Sequence, residues 1–148
     1  MLEMNVKITG IDEVFKNLDA TKADSIRLRA LKAGAKIEKA AIEAAAPEQV
    51  TNHAGSNALP PGALKNDVVM RTGSGKHYVS VQFGKYTAYV ARFLEYGFAH
   101  AKHGKFVQRP FFRNAIDSVQ SEAQAAITKS LSEDISKAFK GNVPSESE

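Results

Sequence analysis

A single apolar stripe in the last third of the chain constrains its fold more than any other feature. After Pro110, apolar residues recur every three or four positions, and Gly141 follows the last of them. This spacing is typical of a helix with one buried face, and proline at its start and glycine at its end agree with that reading. The pattern therefore predicts one long C-terminal helix. The stripe consists of Phe112, Ile116, Val119, Ala123, Ile127, Leu131, Ile135 and Phe139.

A second long helix is predicted in the first half of the chain. Thr21 and Asp24 have the spacing of a capping box with Asp in place of Glu, and Pro47 disfavours helical geometry in the residue before it. Between these limits one face is apolar and the opposite face is charged. The apolar face consists of Ile26, Ala30, Ala33, Ile37, Ala41 and Ala44, whose small side chains allow close approach of a sheet or another subunit.

The region between these helices contains strand and turn signals. Residues 68–70 and 78–83 form two β-type runs, and the glycine-rich segment 72–77 connects them. Two such runs predict an antiparallel hairpin. Residues 88–96 then have helical spacing, and Gly97 stands where a left-handed C-cap belongs.

Separate helical and antiparallel segments predict an α+β fold. It consists of a long N-terminal helix, an antiparallel hairpin or small sheet, a short helix and a long C-terminal helix. We expect one such domain at residues 21–141, with a flexible loop at 47–64, where prolines and glycines concentrate. Residues 1–20 are predicted to form an N-terminal arm and a short helix, and residues 142–148 a disordered tail.

Composition excludes several classes of protein. The chain has no cysteine, which excludes a disulfide scaffold, a thiolate zinc site and a cysteine nucleophile. The N-terminus lacks a basic start followed by an apolar run, so we expect no signal peptide. No stretch approaches the ~20 apolar residues of a membrane helix, and no membrane partner is expected. We expect a protein of the cytoplasm, or of a particle assembled there.

Positive charge is concentrated in the middle of the chain. Residues 65–113 carry 9 basic and 2 acidic side chains, whereas residues 1–64 carry 8 of each and residues 114–148 carry 3 basic and 6 acidic. The middle segment is therefore +7 and the C-terminal segment −3. This asymmetry favours a polyanion or an acidic protein as partner, although charges that balance in three dimensions would give the same counts.

No pattern of catalytic or metal-binding residues is convincing. The segment 72–77 resembles a phosphate-binding loop, but Met70 stands where that loop needs glycine, and a histidine stands where it needs Ser or Thr. His100 and His103 have no acidic neighbour that would complete a metal site. We therefore expect no catalytic residues, no metal and no cofactor. A small hydrolase that uses Glu95 with one of these histidines is the alternative with least support.

Two further features leave alternatives open. Glu95 is a lone acid among apolar and basic residues, which fits a general acid or base, but an ion pair with Arg92, Arg109 or Arg113 is favoured because no second carboxylate is near in sequence. The dense aromatic residues follow helical spacing, which favours a core, with a protein interface or stacking on single-stranded nucleic acid as alternatives. These aromatic residues are Tyr86, Tyr89, Phe93, Tyr96, Phe98, Phe106, Phe111 and Phe112.

Five short motifs occur in an order that is found in a known family. They are Ala46-Pro47, Pro61-Gly-Ala-Leu-Lys-Asn-Asp-Val68, Val81-Gln-Phe-Gly84, Tyr89-Val-Ala-Arg-Phe-Leu-Glu-Tyr-Gly97 and Arg109-Pro-Phe-Phe-Arg-Asn-Ala115. Over about residues 25–135 the chain resembles the putative tail-component family of siphovirus-type phages, the gene-product-ten family of lambdoid phages. It departs from the family pattern at Phe98, where Thr is usual, at Asn114, where a second Pro is frequent, and in a longer 47–62 loop.

The resemblance implies a structural virion protein of the phage head-to-tail neck, with a tail-completion role similar to that of lambda's Z protein. It implies a homo-oligomeric ring around the DNA path, a hexamer or dodecamer, next to head-closure or connector proteins and tail-terminator or tail-tube proteins. The protein would lie in the host cytoplasm during assembly and at the head–tail junction in the virion. Non-specific contact with double-stranded DNA would need phosphate contacts alone. The alternative function is a basic nucleic-acid-binding module.

Two sets of residues are candidates for contacts with these partners. The interface or assembly set is Phe93, Glu95, Tyr96, Phe98, Pro110, Phe111, Phe112 and Arg113. The set that faces DNA or an acidic partner is Lys65, Arg71, Lys76, Lys102, Lys105 and Arg109.

Overall fold

The computed structural model describes residues 20–48, 59–76, 78–99 and 104–140. They form helix α1 (Ala20–Ala45), the single turn α2 (Ala63–Asn66), strand β1 (Val68–Thr72), a 3-10 turn (Ser74–Lys76), strand β2 (Val79–Phe83), helix α3 (Ala88–Tyr96), the two-residue strands β3 (Phe98–Ala99) and β4 (Phe106–Val107), and helix α4 (Phe112–Lys140). This order confirms the predicted α+β fold. Apart from Ala20, the predicted arm at 1–20 and tail at 142–148 lie outside the described residues.

The two long helices pack against each other in antiparallel directions. Ala30, in the first half of α1, belongs to a core cluster with Leu131, in the second half of α4. Ile42, near the end of α1, lies in the main core with Phe112, at the start of α4. Amphipathic helices in proteins gain most of their stability from such packing rather than from intrinsic propensity. Each long helix therefore serves as the apolar partner that the other needs.

The buried face of α1 is rotated relative to the predicted stripe. Among the predicted residues, Ala33, Ile37 and Ala41 are half-buried and Ala44 is exposed. The buried positions are Ala23, Ile26, Ala30, Gly34, Ala35, Glu38, Ile42 and Ala46. They advance largely in steps of four, the row along which helices commonly pack. The predicted face was wrong because a pattern of apolar residues does not include Gly34 and Glu38, which are both buried on the observed face.

Gly34 lies at a close approach of the two helices. A Cβ atom at this position would lie 2.7 Å from both Cγ1 and Cδ1 of Ile127 and 3.3 Å from the carbonyl oxygen of Ala123. Carbon atoms at optimal contact are about 3.5–4.0 Å apart, so a larger side chain would have to displace Ile127. The packing of α1 on α4 thus favours glycine at this position, although glycine weakens an isolated helix.

Two acidic residues lie in the same helix interface. Asp134 is buried, and its Oδ1 accepts a hydrogen bond of 2.9 Å from Nη1 of Arg29. Glu38 is 6% exposed and has no hydrogen-bond or ion-pair partner among the described residues. Burial raises the pKa of Glu38 from 4.5 to about 6. The interface therefore contains a carboxyl group that opposes folding when it is charged.

Strands β1 and β2 form the predicted hairpin, with Val68 opposite Phe83 and Thr72 opposite Val79. The amide of Gly73 donates a 3.0 Å hydrogen bond to the carbonyl oxygen of Tyr78 and closes the turn. The glycine-rich connection is therefore a hairpin turn. It does not open a helix, as a phosphate-binding loop does.

The last part of the predicted 47–64 loop is ordered by local bonds. The amide of Gly62 donates a 2.8 Å hydrogen bond to the carbonyl oxygen of Glu48, and Gly62 has a φ of 76° that favours glycine. The turn α2 then places Leu64 in the main core with no exposed surface. Residues 49–58 of the predicted loop lie outside the described residues.

Candidate protein-binding surface

The junction between α3 and α4 is organised by the carboxylate of Glu95, which is 4% exposed. Its Oε2 accepts hydrogen bonds from the backbone amides of Phe111 at 2.9 Å and Phe112 at 3.0 Å. Its Oε1 accepts a third, of 3.1 Å, from the amide of Arg113. The first amides of a helix have no partner within the helix, and a negative charge there also interacts favourably with the helix dipole. Glu95 is therefore the N-terminal cap of α4, supplied by another helix.

This arrangement corrects the predicted ion pair. Among the described residues, the Glu95 carboxylate binds backbone amides and no guanidinium group, and the side chains of Arg92, Arg109 and Arg113 are exposed. A sequence signal for the cap was present. Phe111, which occupies the cap position of α4, has no side-chain acceptor, which leaves the first helix amides open to an acceptor from elsewhere in the chain.

Further bonds join the segments on either side of β3 and β4. The amide of Arg109 donates to the carbonyl oxygen of Leu94 at 2.9 Å, and Nε2 of Gln108 donates to the carbonyl oxygen of Glu95 at 3.1 Å. Phe98 pairs with Val107 between the two short strands. The motifs 94–97 and 109–113 thus bond directly to each other, through the backbone of Leu94 and Arg109 and through the Glu95 side chain.

Three members of the predicted interface set are core residues. Besides Glu95, the side chains of Phe111 and Phe112 are buried. The centroid of the Phe83 ring lies 5.8 Å from that of Phe111 and 5.9 Å from that of Phe112. Such edge-to-face and tilted contacts are typical of aromatic packing in a core. This corrects the expectation that these three side chains contact a partner directly, while Pro110 and Arg113 of the same motif are exposed.

The outer side of α3 and the adjoining Phe98 of β3 present aromatic residues, which we call the aromatic face: Tyr89, Phe93, Tyr96 and Phe98. The first three are 54%, 53% and 51% exposed, and Phe98 is half-buried. The ring of Phe93 makes edge-to-face contacts with Tyr89 at 6.3 Å and with Phe98 at 6.2 Å. The inner side of the helix supplies Val90, Ala91 and Leu94 to the core. The core interpretation was therefore wrong for Tyr89, Phe93 and Tyr96, which share a helical spacing but face outward. It was also wrong for Tyr86 and Phe106, which are 77% and 65% exposed.

Gly97 connects the aromatic face to the short strands. Its φ is 87°, as predicted for a glycine after the helix, but its ψ of 160° lies outside the left-handed helical region. The chain therefore leaves α3 in an extended direction and enters β3. The tip of the exposed Phe106 ring lies against Gly97, so a Cβ atom at this position would displace that ring.

A cleft of about 440 Å³ opens beside the aromatic face, between α3 and β2. Its lining includes three buried apolar residues, Phe83, Ala91 and Phe112, which form its base. Tyr89 and Tyr96 of the aromatic face also line it. The cleft therefore continues the aromatic face into an apolar recess.

The basic side chains around this cleft form no ion pair with the two acids of the same segment among the described residues. Glu95 is bound to amides, and Asp67 accepts a 2.7 Å hydrogen bond from Oγ1 of Thr87. Lys85 and Arg92, which line the cleft, are exposed. Within the described ranges, no basic side chain of residues 65–113 forms an ion pair. The segment thus keeps its charge available for a partner, and neither Lys85 nor Arg92 was among the predicted site residues.

The predicted DNA-facing residues are distributed over several elements. Lys65 lies on α2, Arg71 on β1, and Lys105 and Arg109 on the connections that flank β4; all four are exposed. Lys102 and the side chain of Lys76 lie outside the described residues.

Other kinds of site find no support in the described part of the chain. No group of three or more histidine, aspartate or glutamate side chains there could hold a metal ion. None of the described helices has the length and apolar character needed to cross a membrane. Comparisons with models of protein families, with curated proteins and with solved structures find no match.

Proposed function

We propose that this protein is a structural subunit of a phage head-to-tail neck and that the aromatic face of α3 is one of its assembly surfaces. The observation that carries the proposal is the exposure of Tyr89, Phe93 and Tyr96 on one side of a helix whose other side is buried. Contiguous aromatic surface of this kind marks protein–protein contacts, and aromatic residues and arginine are enriched in them.

The rigid attachment of α3, which carries most of the aromatic face, to the rest of the fold supports an assembly role. Val90 and Leu94 fix α3 in the core, and Glu95 ties it to the first amides of α4. Surfaces held on such rigid elements change little on binding, which suits a subunit that repeats the same contact around a ring.

The position of the sequence motifs is a second support. The segments 89–97 and 109–115, which carry much of the resemblance to phage tail components, meet at the junction that holds the aromatic face. In the proposed assembly, copies form a ring in the host cytoplasm, and the ring then lies between head-closure or connector proteins and tail proteins of the virion. A ring needs a contact between two different surfaces of the subunit, of which the aromatic face is one.

The proposal is tested by deletion of the gene in the phage that carries it. We expect filled heads and separate tails that fail to join, visible by electron microscopy, and recovery when the wild-type protein is supplied. Phe93→Ser should fail to restore joining, whereas Tyr78→Ser, a change of an exposed aromatic residue in the hairpin turn, should restore it. Both variants are first compared with the wild type by thermal melting. Normal yields of infectious virions from the deletion would refute the proposal.

A basic nucleic-acid-binding module is the second candidate, because the exposed basic side chains of residues 65–113 are free of ion pairs in the described ranges. It predicts affinity for labelled duplex or single-stranded DNA that falls steeply as salt is raised. Absence of binding at low salt would remove this candidate.

A further inference from the structure

The cleft between α3 and β2 has the chemistry of a binding site for an acidic peptide with an apolar anchor. Its base is apolar, and its volume lies within the range of ligand clefts. Lys85 and Arg92 line the cleft and have no ion-pair partner among the described residues. An occupant that placed an apolar side chain on the base and carboxylates beside these two cations would complement both features.

Residues 141–148 of this chain combine apolar residues with acids and so complement the apolar base and the two cations of the cleft. Their sequence is Gly-Asn-Val-Pro-Ser-Glu-Ser-Glu, with adjacent apolar residues at Val143 and Pro144, acids at Glu146 and Glu148, and no basic residue. Proline also restricts the residue before it to extended conformations, which lowers the entropy lost when such a segment binds.

The length of α4 separates this segment from the cleft of its own chain. Phe112, which lines the cleft, is the first residue of the 29-residue helix, whose other end is about 42 Å away at 1.5 Å per residue. Residues 141–148, even fully extended, reach at most about 28 Å beyond Lys140. They cannot reach the cleft of their own chain, but they can reach that of a neighbouring copy.

We propose that the cleft of one copy binds residues 141–148 of the next copy. Val143 and Pro144 lie on the apolar base, and the two glutamates lie near Lys85 and Arg92. This contact joins two different surfaces, so repetition generates a ring when the rotation closes and a filament when it does not. The inference rests on the proposed function and identifies the partner of the cleft beside the aromatic face as a second copy of the chain.

The proposal is tested by fluorescence anisotropy with a labelled peptide of residues 141–148 and the full-length protein. We expect saturable binding that Arg92→Glu weakens by ~10-fold or more, since close charge pairs contribute strongly at such contacts. Lys129→Glu, which reverses an exposed charge on α4 about 25 Å along the helix from Phe112, should leave binding unchanged. A peptide with both glutamates replaced by lysine should bind Arg92→Glu better than it binds the wild type.

The two glutamate replacements and Arg92→Glu are then introduced separately into the full-length chain, and the self-association of each variant is measured by sedimentation velocity. E146K/E148K and R92E should each reduce association, and a mixture of the two variants should recover it. A peptide that fails to bind, or equal effects of Arg92→Glu and Lys129→Glu, would overturn the proposal. So would binding of a labelled oligonucleotide in place of the peptide, which would make the cleft a nucleic-acid site. These results do not depend on the deletion phenotype, so failure of the neck proposal and failure of this contact are distinguishable.

Discussion

Replacement of Glu95 is the sharpest test of how the α3–α4 junction is held. Glu95→Gln keeps the shape of the side chain but removes its charge, and it replaces one acceptor oxygen by an NH₂ group. Because Oε1 and Oε2 together accept from three amides, at least one of the amides of Phe111, Phe112 and Arg113 then faces a donor. Glu95→Ala removes the acceptor from all three.

The expected loss follows from the burial of these bonds. The bonds to Phe111 and Phe112 are buried, and a buried donor without a partner costs roughly 1–3 kcal/mol. The lost interaction of the charge with the helix dipole adds roughly 0.5–2 kcal/mol. We therefore expect Glu95→Gln to lower the free energy of unfolding by roughly 2–4 kcal/mol and Glu95→Ala by roughly 4–6 kcal/mol. Domains of this kind are stable by only about 5–15 kcal/mol, so the alanine variant should be close to unfolding.

Urea unfolding measures these differences, and hydrogen exchange locates them. The amides of Phe111, Phe112 and Arg113 should exchange slowly in the wild type and much faster in Glu95→Gln under conditions where both are folded. For a chain of 148 residues, a loss of 1 kcal/mol lowers Tm by about 2–4 °C, so Glu95→Gln should melt about 10 °C lower.

Arg113→Gln is the matched control, because Glu95 binds the backbone amide of this residue and not its exposed guanidinium group. Its effect should stay within about 0.5 kcal/mol, as for other surface substitutions. If Arg113→Gln cost as much as Glu95→Gln, the contact would be an ion pair and the capping argument would be wrong. Unchanged exchange of the three amides in Glu95→Gln would refute it as well.

Two further predictions concern the interface of α1 and α4. Gly34→Ala should lower the free energy of unfolding by about 1 kcal/mol, because overpacking against Ile127 outweighs the gain in helix propensity. In an Ile127→Ala background the same change should raise stability. Equal effects in both backgrounds, measured by urea unfolding, would rule out the contact as the cause. Burial raises the pKa of Glu38 from 4.5 to about 6, so the folded protein binds a proton more tightly at this residue than the unfolded chain does. The free energy of unfolding is therefore highest below about pH 4.5 and falls by about 2 kcal/mol as pH rises through 6. Glutamine does not titrate, so the stability of Glu38→Gln relative to the wild type should rise by about 2 kcal/mol when pH is raised from about 4 to about 7.5. A stability difference between the two proteins that stays constant with pH would contradict this prediction.

Local patterns were sufficient to predict the two long helices, the β1–β2 hairpin and α3. The apolar stripe after Pro110 predicted α4, the run before Pro47 predicted α1, and the glycine-rich segment 72–77 marked the hairpin turn. These signals are local, since helical and strand periods and the backbone restrictions of proline and glycine act within a few residues.

The candidate surface was predicted only in part. Phe93 and Tyr96 were selected and are exposed, but Tyr89, Lys85 and Arg92 were not selected. Helical spacing shows that the aromatic residues of α3 share one side. It does not show whether that side or the one with Leu94 meets the core, because both sides are apolar enough to be buried.

The sequence by itself determined where the two long helices, the β1–β2 hairpin and α3 of this protein lie and where positive charge accumulates, whereas α2, β3 and β4 were not predicted. The tertiary structure alone decided which face of each helix is buried, and therefore that Gly34 and Glu38 face α4 and that Phe93 faces outward. It also decided the role of Glu95, whose bonds reach residues 16 to 18 positions away. The physical reason is that periodicity is a property of one segment, whereas burial and the satisfaction of helix-end amides depend on which distant segments pack against it.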